Sequence, residues 1–369
     1  MSKIFFSDVP TTNRNYEKLF SKAFHKLLKS GQFIQGKEVF KFENDLKNFI
    51  GAKYATTVAS GTDALIVSLM ALGIKPGDEV ITTSFSWLSS TQSILMVGAI
   101  PRFVDIDLRN MLIDEESIAE KINENTKAIM TVSLFGTMNN FINLKKISKK
   151  YGIPLIEDAA QSFGSSRKGY ISCNSANISC TSFFPTKSLG GLGDGGAIFT
   201  NNFSLYKKAC MIKLNGQSIR NRSSMMGYNA RIDTLQAIFL RIKLKRLKSL
   251  IKAKRKIVKI YSENIIINSN CNIVAKNFIE TSCCSSFNIL FKKRKKLIQE
   301  FKANNVQYAI YYDKPINDQT FINKNKLAYK DITPNARYAS NNIISLPLNI
   351  YLKKENILKI CEIINNVSK

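Results

Sequence analysis

Histidine is nearly absent from this sequence: His25 is the only one in 369 residues. That scarcity excludes His-Glu-x-x-His zinc sites and makes a Ser-His-Asp triad a poor reading. His25 itself lies in Phe20–Leu28, whose apolar spacing predicts a helix, and it is read as structural. The seven cysteines are odd in number and form no Cys-x-x-Cys pair, so no zinc or disulfide framework is expected. No apolar run reaches the roughly 18 residues of a membrane helix, and Met1–Asp8 lacks the apolar stretch of a signal peptide. A cytoplasmic protein without membrane contact is the expectation.

Acidic residues are also scarce, 27 against 54 basic ones, which leaves a formal net charge of +27. Such a surplus invites a nucleic-acid reading. The lysines are spread along the chain, however. Their densest run, Arg241–Lys259, carries Leu244, Leu247 and Ile251 at helical spacing, flanked by Leu240. That pattern predicts one long amphipathic helix with a basic solvated face, and no nucleic-acid partner is expected. A cationic surface would still steer an anionic small substrate toward the protein.

What is present is concentrated in Ile153–Gly196. The apolar run Ile153–Ile156 ends in Glu157, Asp158 and, after two alanines, Gln161. A short apolar run leading into an acid reads as a buried parallel strand whose carboxyl end opens into a site. Downstream, Lys187 stands among Phe183, Phe184, Pro185 and several glycines. Desolvation there would lower its pKa and free the amine as a nucleophile. An acid and a desolvated lysine together suggest Schiff-base chemistry, with the acid facing a pyridinium nitrogen.

The rest of the chain frames this stretch. An N-terminal arm and helices precede a strand-like piece at Tyr54–Val58, a Ser60-Gly61-Thr62 turn and a helix over Asp63–Leu72. Backbone N–H groups at that helix start would suit a phosphate; the alternative reading is a serine that only caps the helix. Further strands are predicted at Val80–Ser84, Pro101–Asp105, Ala128–Leu134 and Ala197–Thr200, with helices between them. Strand–helix alternation implies a mostly parallel sheet covered on both faces. Trp87 follows the strand at Val80–Ser84, where it could stack on a flat ring or pack in the core.

Four segments in order carry a family resemblance: Ser60–Leu65 (SGTDAL), Glu157–Gln161 (EDAAQ), Thr181–Ala197 (TSFFPTKSLGGLGDGGA) and Gly227–Ala237 (GYNARIDTLQA). Over most of residues 1–250 the chain resembles the DegT/DnrJ/StrS-type nucleotide-sugar aminotransferases, which depend on pyridoxal 5′-phosphate. The resemblance implies the type I fold, an α/β architecture with a mostly parallel central sheet flanked by helices. It implies a large cofactor-binding domain over residues 1–240 and a smaller C-terminal α+β domain over 241–369.

By the same resemblance, Lys187 would hold the cofactor covalently and shuttle the proton, and Asp158 would pair with the ring nitrogen. Gln161 would bond the ring hydroxyl, while Trp87 and Ala160 would lie against its two faces. Gly61, Thr62 and Ser182 would bind the phosphate. Asn229 would reach the phosphate of a neighbouring subunit, which implies a homodimer with shared sites. Arg231 would bind the substrate. The implied partners are glutamate as amino donor and a nucleotide-linked keto-sugar as acceptor, in aminosugar and polysaccharide biosynthesis. Thr181–Gly196 most resembles enzymes aminating C3 of a UDP-linked 3-keto-N-acetylglucuronate. Amination at C4, of a dTDP-linked deoxysugar, or a non-catalytic homologue are the alternatives. The chain departs from the family at Ser133, where histidine is common, at Ser188 after the lysine, and in Asp313–Gln319, which lacks the family's histidine.

Overall fold

Strands that are apolar on both faces, alternating with helices, build the larger part of the molecule. The computed structural model describes residues 3–369. Three helices come first: α1 (Val9–Arg14), α2 (Glu17–Ser30) and α3 (Lys37–Ile50). The core of the sheet then follows as β1 (Tyr54–Val58), α4 (Gly61–Leu72), β2 (Glu79–Thr83), α5 (Ser89–Met96), β3 (Ile100–Val104), β4 (Thr126–Val132), α6 (Phe141–Tyr151) and β5 (Leu155–Asp158). It is completed by β6 (Ile178–Ser182), β7 (Gly196–Thr200) and α7 (Phe203–Ile212).

These strands form a seven-stranded sheet in the order β1-β7-β6-β5-β4-β2-β3. The five strands from β6 to β3 run parallel, while β7 and β1 close the other edge antiparallel. Val80, Met130 and Ile156 enter one core, whereas their neighbours Ile81, Ile129 and Leu155 enter another on the opposite face. Burial on both faces explains why the strands read as continuous apolar runs rather than alternating ones. Gly152, at φ +67°, ends α6 in the left-handed conformation and turns the chain into β5.

The predicted strand at Ile153–Ile156 is displaced by two residues. It starts at Leu155 and includes Asp158, so the acid is the strand's last residue, paired with Cys180 on β6 and Val132 on β4. The long basic helix is a correction of larger kind. It is two helices, α8 (Thr234–Leu244) and α9 (Leu247–Asn264), separated by a tight turn in which Arg246 N–H donates to Lys243 O at 3.0 Å. The apolar spacing continues across the turn, because Leu244, Leu247 and Ile251 all enter the same core, so the sequence carries no sign of the break.

The C-terminal part centres on a three-stranded antiparallel sheet, β8 (Cys271–Ile273), β9 (Phe287–Phe291) and β10 (Ile343–Leu346), with α10 (Arg294–Ala303) and α11 (Lys354–Ser368) against it. Its core contains Tyr261, Phe287, Phe301 and Ile360, and Ile4 from the N-terminal arm joins it. Helix α9 serves both parts. Leu247 and Ile251 pack with α3 and β7 residues, and Ile257, Val258 and Tyr261 pack in the C-terminal core. Among the described residues no helix is long and apolar enough to cross a membrane.

Candidate active site

The parallel strands deliver their carboxyl ends to one cavity of about 550 Å³. Asp158, at the end of β5, is buried there. Its Oδ2 accepts from Ser90 Oγ at 2.7 Å and its Oδ1 from Ala160 N–H at 3.1 Å. Burial raises the Asp158 pKa, against the lowering effect of Ser90, the Ala160 amide and the Lys187 charge. Lys187 lines the same cavity. Burial lowers its pKa, and the nearby Asp158 pulls it back up. Desolvation thus outweighs the attraction between the two on both sides.

The loop that carries Lys187 is wound tightly. Lys187 N–H donates to Phe184 O at 2.8 Å and Gly191 N–H to Phe183 O at 2.7 Å. A Cβ on Gly190 would stand 2.1 Å from Pro185 O, so this position has to be glycine.

Opposite the lysine lies the start of α4. Ser60 Oγ accepts from Asp63 N–H at 3.0 Å, which caps the helix, while the N–H groups of Gly61 and Thr62 have no acceptor within the helix. Both residues line the cavity, with Ser182 beside them. A Cβ on Gly61 would meet Ser182 Cβ at 2.6 Å, so only glycine lets the helix start come this close to β6. A concave helix N-terminus without a side chain over it is what a phosphate group requires. Thr62 Oγ1 donates to Ser89 Oγ, fixing α4 against α5.

Trp87 and Ala160 also line the cavity, and Trp87 remains 57% exposed. Gln161 is there with its amide partly engaged. Its Oε1 accepts from Phe135 N–H at 3.0 Å and its Nε2 donates to Tyr312 Oη at 3.0 Å, which leaves one N–H for a ligand. Eight of the expected positions are therefore gathered in one place. Asn229 and Arg231 are not. They lie together outside this cavity, Arg231 Nε donating to Asn229 Oδ1 at 2.8 Å. His25 is exposed on α2, away from the cavity.

Several participants escaped sequence reasoning. Ser90 holds Asp158 across 68 residues and Tyr312 meets Gln161 across 151. Neither has a local signal, since both pairings exist only once the sheet has formed. Ser133 and Asn317, where the chain departs from the family pattern, do not line the cavity. Asn317 bonds Asp331 O and Thr333 Oγ1, and Ser133 Oγ donates to Glu157 at 3.0 Å.

Glu157 points away from the cavity, as strand alternation demands of a neighbour of Asp158. It is buried without a cation, receiving hydrogen bonds from Ser133, Ser172, Ser179 and the Cys173 amide. Burial pushes its pKa up to about 7. A carboxyl raised in the folded state contributes stability below the ordinary carboxylate range and loses it as pH rises through about 7. In Glu157→Gln, the oxygen can face the Cys173 amide and the NH₂ group the serine hydroxyls. Between pH 5 and pH 8 the wild type should lose about 2–3 kcal/mol of stability relative to this variant. Parallel denaturation curves at both pH values would remove Glu157 as the titrating group.

The sequence pattern described as the DegT/DnrJ/EryC1/StrS aminotransferase family matches residues 15–365. The chain is 37% identical over 362 residues to the UDP-2-acetamido-2-deoxy-3-oxo-D-glucuronate aminotransferase of Pseudomonas aeruginosa, covering 98% of this chain and 99% of the relative. It is 30% identical over 339 residues to the UDP-N-acetyl-3-dehydro-alpha-D-glucosamine 3-aminotransferase of Acidithiobacillus ferrooxidans, covering 92% and 91%. Among solved structures, NtdA of Bacillus subtilis with the bound cofactor PMP superposes with a TM-score of 0.93 at 26% identity, covering 99% of this chain and 86% of that one.

Proposed function

Because the chain belongs to the DegT/DnrJ/EryC1/StrS aminotransferase family, we propose that it moves an amino group from glutamate to C3 of a UDP-linked 3-keto-hexuronate. The observation that carries the reading is the shared cavity of Lys187 and Asp158, bounded by the open N-terminus of α4 where Gly61 meets Ser182. The enzyme is a sugar aminotransferase whose cofactor is pyridoxal 5′-phosphate. When bound, that cofactor supplies an electron sink for the carbanion that forms as the C–H bond beside nitrogen breaks.

The residues divide the remaining work. Gly61 and Thr62 N–H, with Ser182, would take the phosphate, and Asp158, fixed by Ser90, would receive the ring N–H. Trp87 and Ala160 would hold the ring from its two faces, and Gln161 would offer its remaining N–H to the ring oxygen. Lys187 would hold the cofactor covalently between turnovers. Its amine would also carry the proton to and from the substrate carbon, a task suited to an amine whose pKa is lowered by burial.

Asn229 and Arg231 lie outside their own chain's cavity, which supports a homodimer in which each subunit lends them to the other's phosphate and sugar. The preference for C3 rests on the two relatives, whose names both specify a 3-oxo or 3-dehydro sugar, and the preference for a uronate rests on the Pseudomonas relative. Free thiols at all seven cysteines and a nucleotide-activated acceptor fit a cytoplasmic step of aminosugar and polysaccharide biosynthesis.

The test is a pair of half-reactions. Glutamate should bleach the visible band of the holoenzyme and yield 2-oxoglutarate, and UDP-3-keto-N-acetylglucuronate should restore the band. Restoration by 4-keto-sugars alone would overturn the position assigned. No response to any amino acid would overturn the reaction itself.

A further inference from the structure

The cavity that holds Lys187 continues to a second lysine for which the residues assigned above provide no role. Lys254 lies on α9 between Ile251 and Ile257, at the point where that helix passes from one core to the other. It lines the cavity, and among the described residues no side chain or carbonyl forms a hydrogen bond or ion pair with its ammonium group. The groups that act on it are the Cys283 and Cys284 thiols, and burial lowers its pKa. Cys283 also acts on Lys187, accepts from Ser188 Oγ at 3.4 Å and donates to Gln161 O at 3.1 Å. The Cys283 thiol is thus close enough to act on both lysines.

A hydroxyl accompanies it. Ser285 lines the same cavity, and its Oγ is buried without a hydrogen-bond partner. A buried polar atom is ordinarily paired, and an unpaired one at a cavity wall is a place for a ligand atom. The cavity's own carboxylates do not fill the gap. Asp158 is held by Ser90 and the Ala160 amide, Asp8 caps α1 through the Thr11 amide, and Asp194 is exposed. Lys243, also on the wall, is bonded to Asn13 Oδ1 at 3.1 Å.

We propose that Lys254 and Ser285 form a carboxylate-binding subsite beside Lys187, the ammonium taking one oxygen and the hydroxyl donating to the other. The subsite rests on the function proposed above, in which both substrates carry carboxylates and occupy the cavity in turn. A single ammonium with one hydroxyl matches one negative charge. A diphosphate, with two charges and a position remote from the reacting carbon, fits poorly.

Calorimetric titration of the holoenzyme with unreactive probes tests this without turnover. Glutarate represents the donor, UDP-glucuronate the acceptor, and UDP-glucose the same nucleotide without a carboxylate. Lys254→Gln should weaken glutarate, UDP-glucuronate or both by about tenfold or more. The probe affected identifies the source of the carboxylate. UDP-glucose should bind as in the wild type, Lys254→Arg should retain most of the affinity, and Ser285→Ala should lose several-fold. Unchanged affinity for both carboxylates would overturn the subsite, as would an equal loss for UDP-glucose. If no keto-sugar were aminated but glutarate binding still depended on Lys254, the subsite would stand and the assigned reaction would fall.

Discussion

Replacing Lys187 with alanine is expected to lower transamination by roughly 10³-fold or more, because one change removes the residue proposed as both nucleophile and proton carrier. The lysine is suited to both tasks: burial lowers its pKa, and a wound loop closed by Gly190 fixes where its side chain starts. The phosphate site proposed at Gly61, Thr62 and Ser182 is untouched by the change, so the variant should still take up cofactor without a covalent link. Borohydride reduction followed by mass spectrometry separates these outcomes. The wild type should gain the mass of the cofactor and the variant should not. A covalent adduct in Lys187→Ala, at another lysine, would refute the assignment of this residue.

Asp158→Asn is the second large effect, with kcat lower by about 10²- to 10³-fold. Removing one partner of a buried ion pair costs about 3–5 kcal/mol, and the pair here would be Asp158 with the protonated ring nitrogen. The folded apoprotein should not suffer. Asparagine keeps an oxygen for the Ala160 amide and offers an NH₂ group to Ser90 Oγ, and it removes a carboxyl whose pKa burial raises. The apoprotein Tm should therefore be equal to or above that of the wild type while activity collapses. A Tm that fell along with the rate would point to a structural acid instead.

Legibility of the site in the sequence followed chain distance. Asp158 announces itself because β5 is apolar until its last two residues, and Lys187 because its aromatic and glycine neighbours differ from the lysine-rich surface around it. The sheet was legible because its apolar runs are short, bounded by turns and separated by helical stretches, as strands buried on both faces are. Ser90 and Tyr312 were not legible, because each acts through a partner that only the fold brings near. The break between α8 and α9 stayed hidden for the opposite reason, since local apolar spacing runs through it undisturbed. Ser133 stands out in the sequence only as a departure from the family pattern, and its bond to the buried Glu157 becomes visible only in the fold.

Helix α9 has a consequence for how the enzyme meets its substrates. An 18-residue helix is a stiff rod of about 27 Å. Its first turns are anchored in the core beneath the cofactor loop and its later turns in the C-terminal core. The two halves of the cavity wall cannot separate without stripping apolar contacts from one end of that rod. The wall is accordingly set before any substrate arrives, and little conformational entropy is lost on binding. Selectivity then resides in charge and shape already in place, so a change of substrate calls for new side chains on a fixed frame.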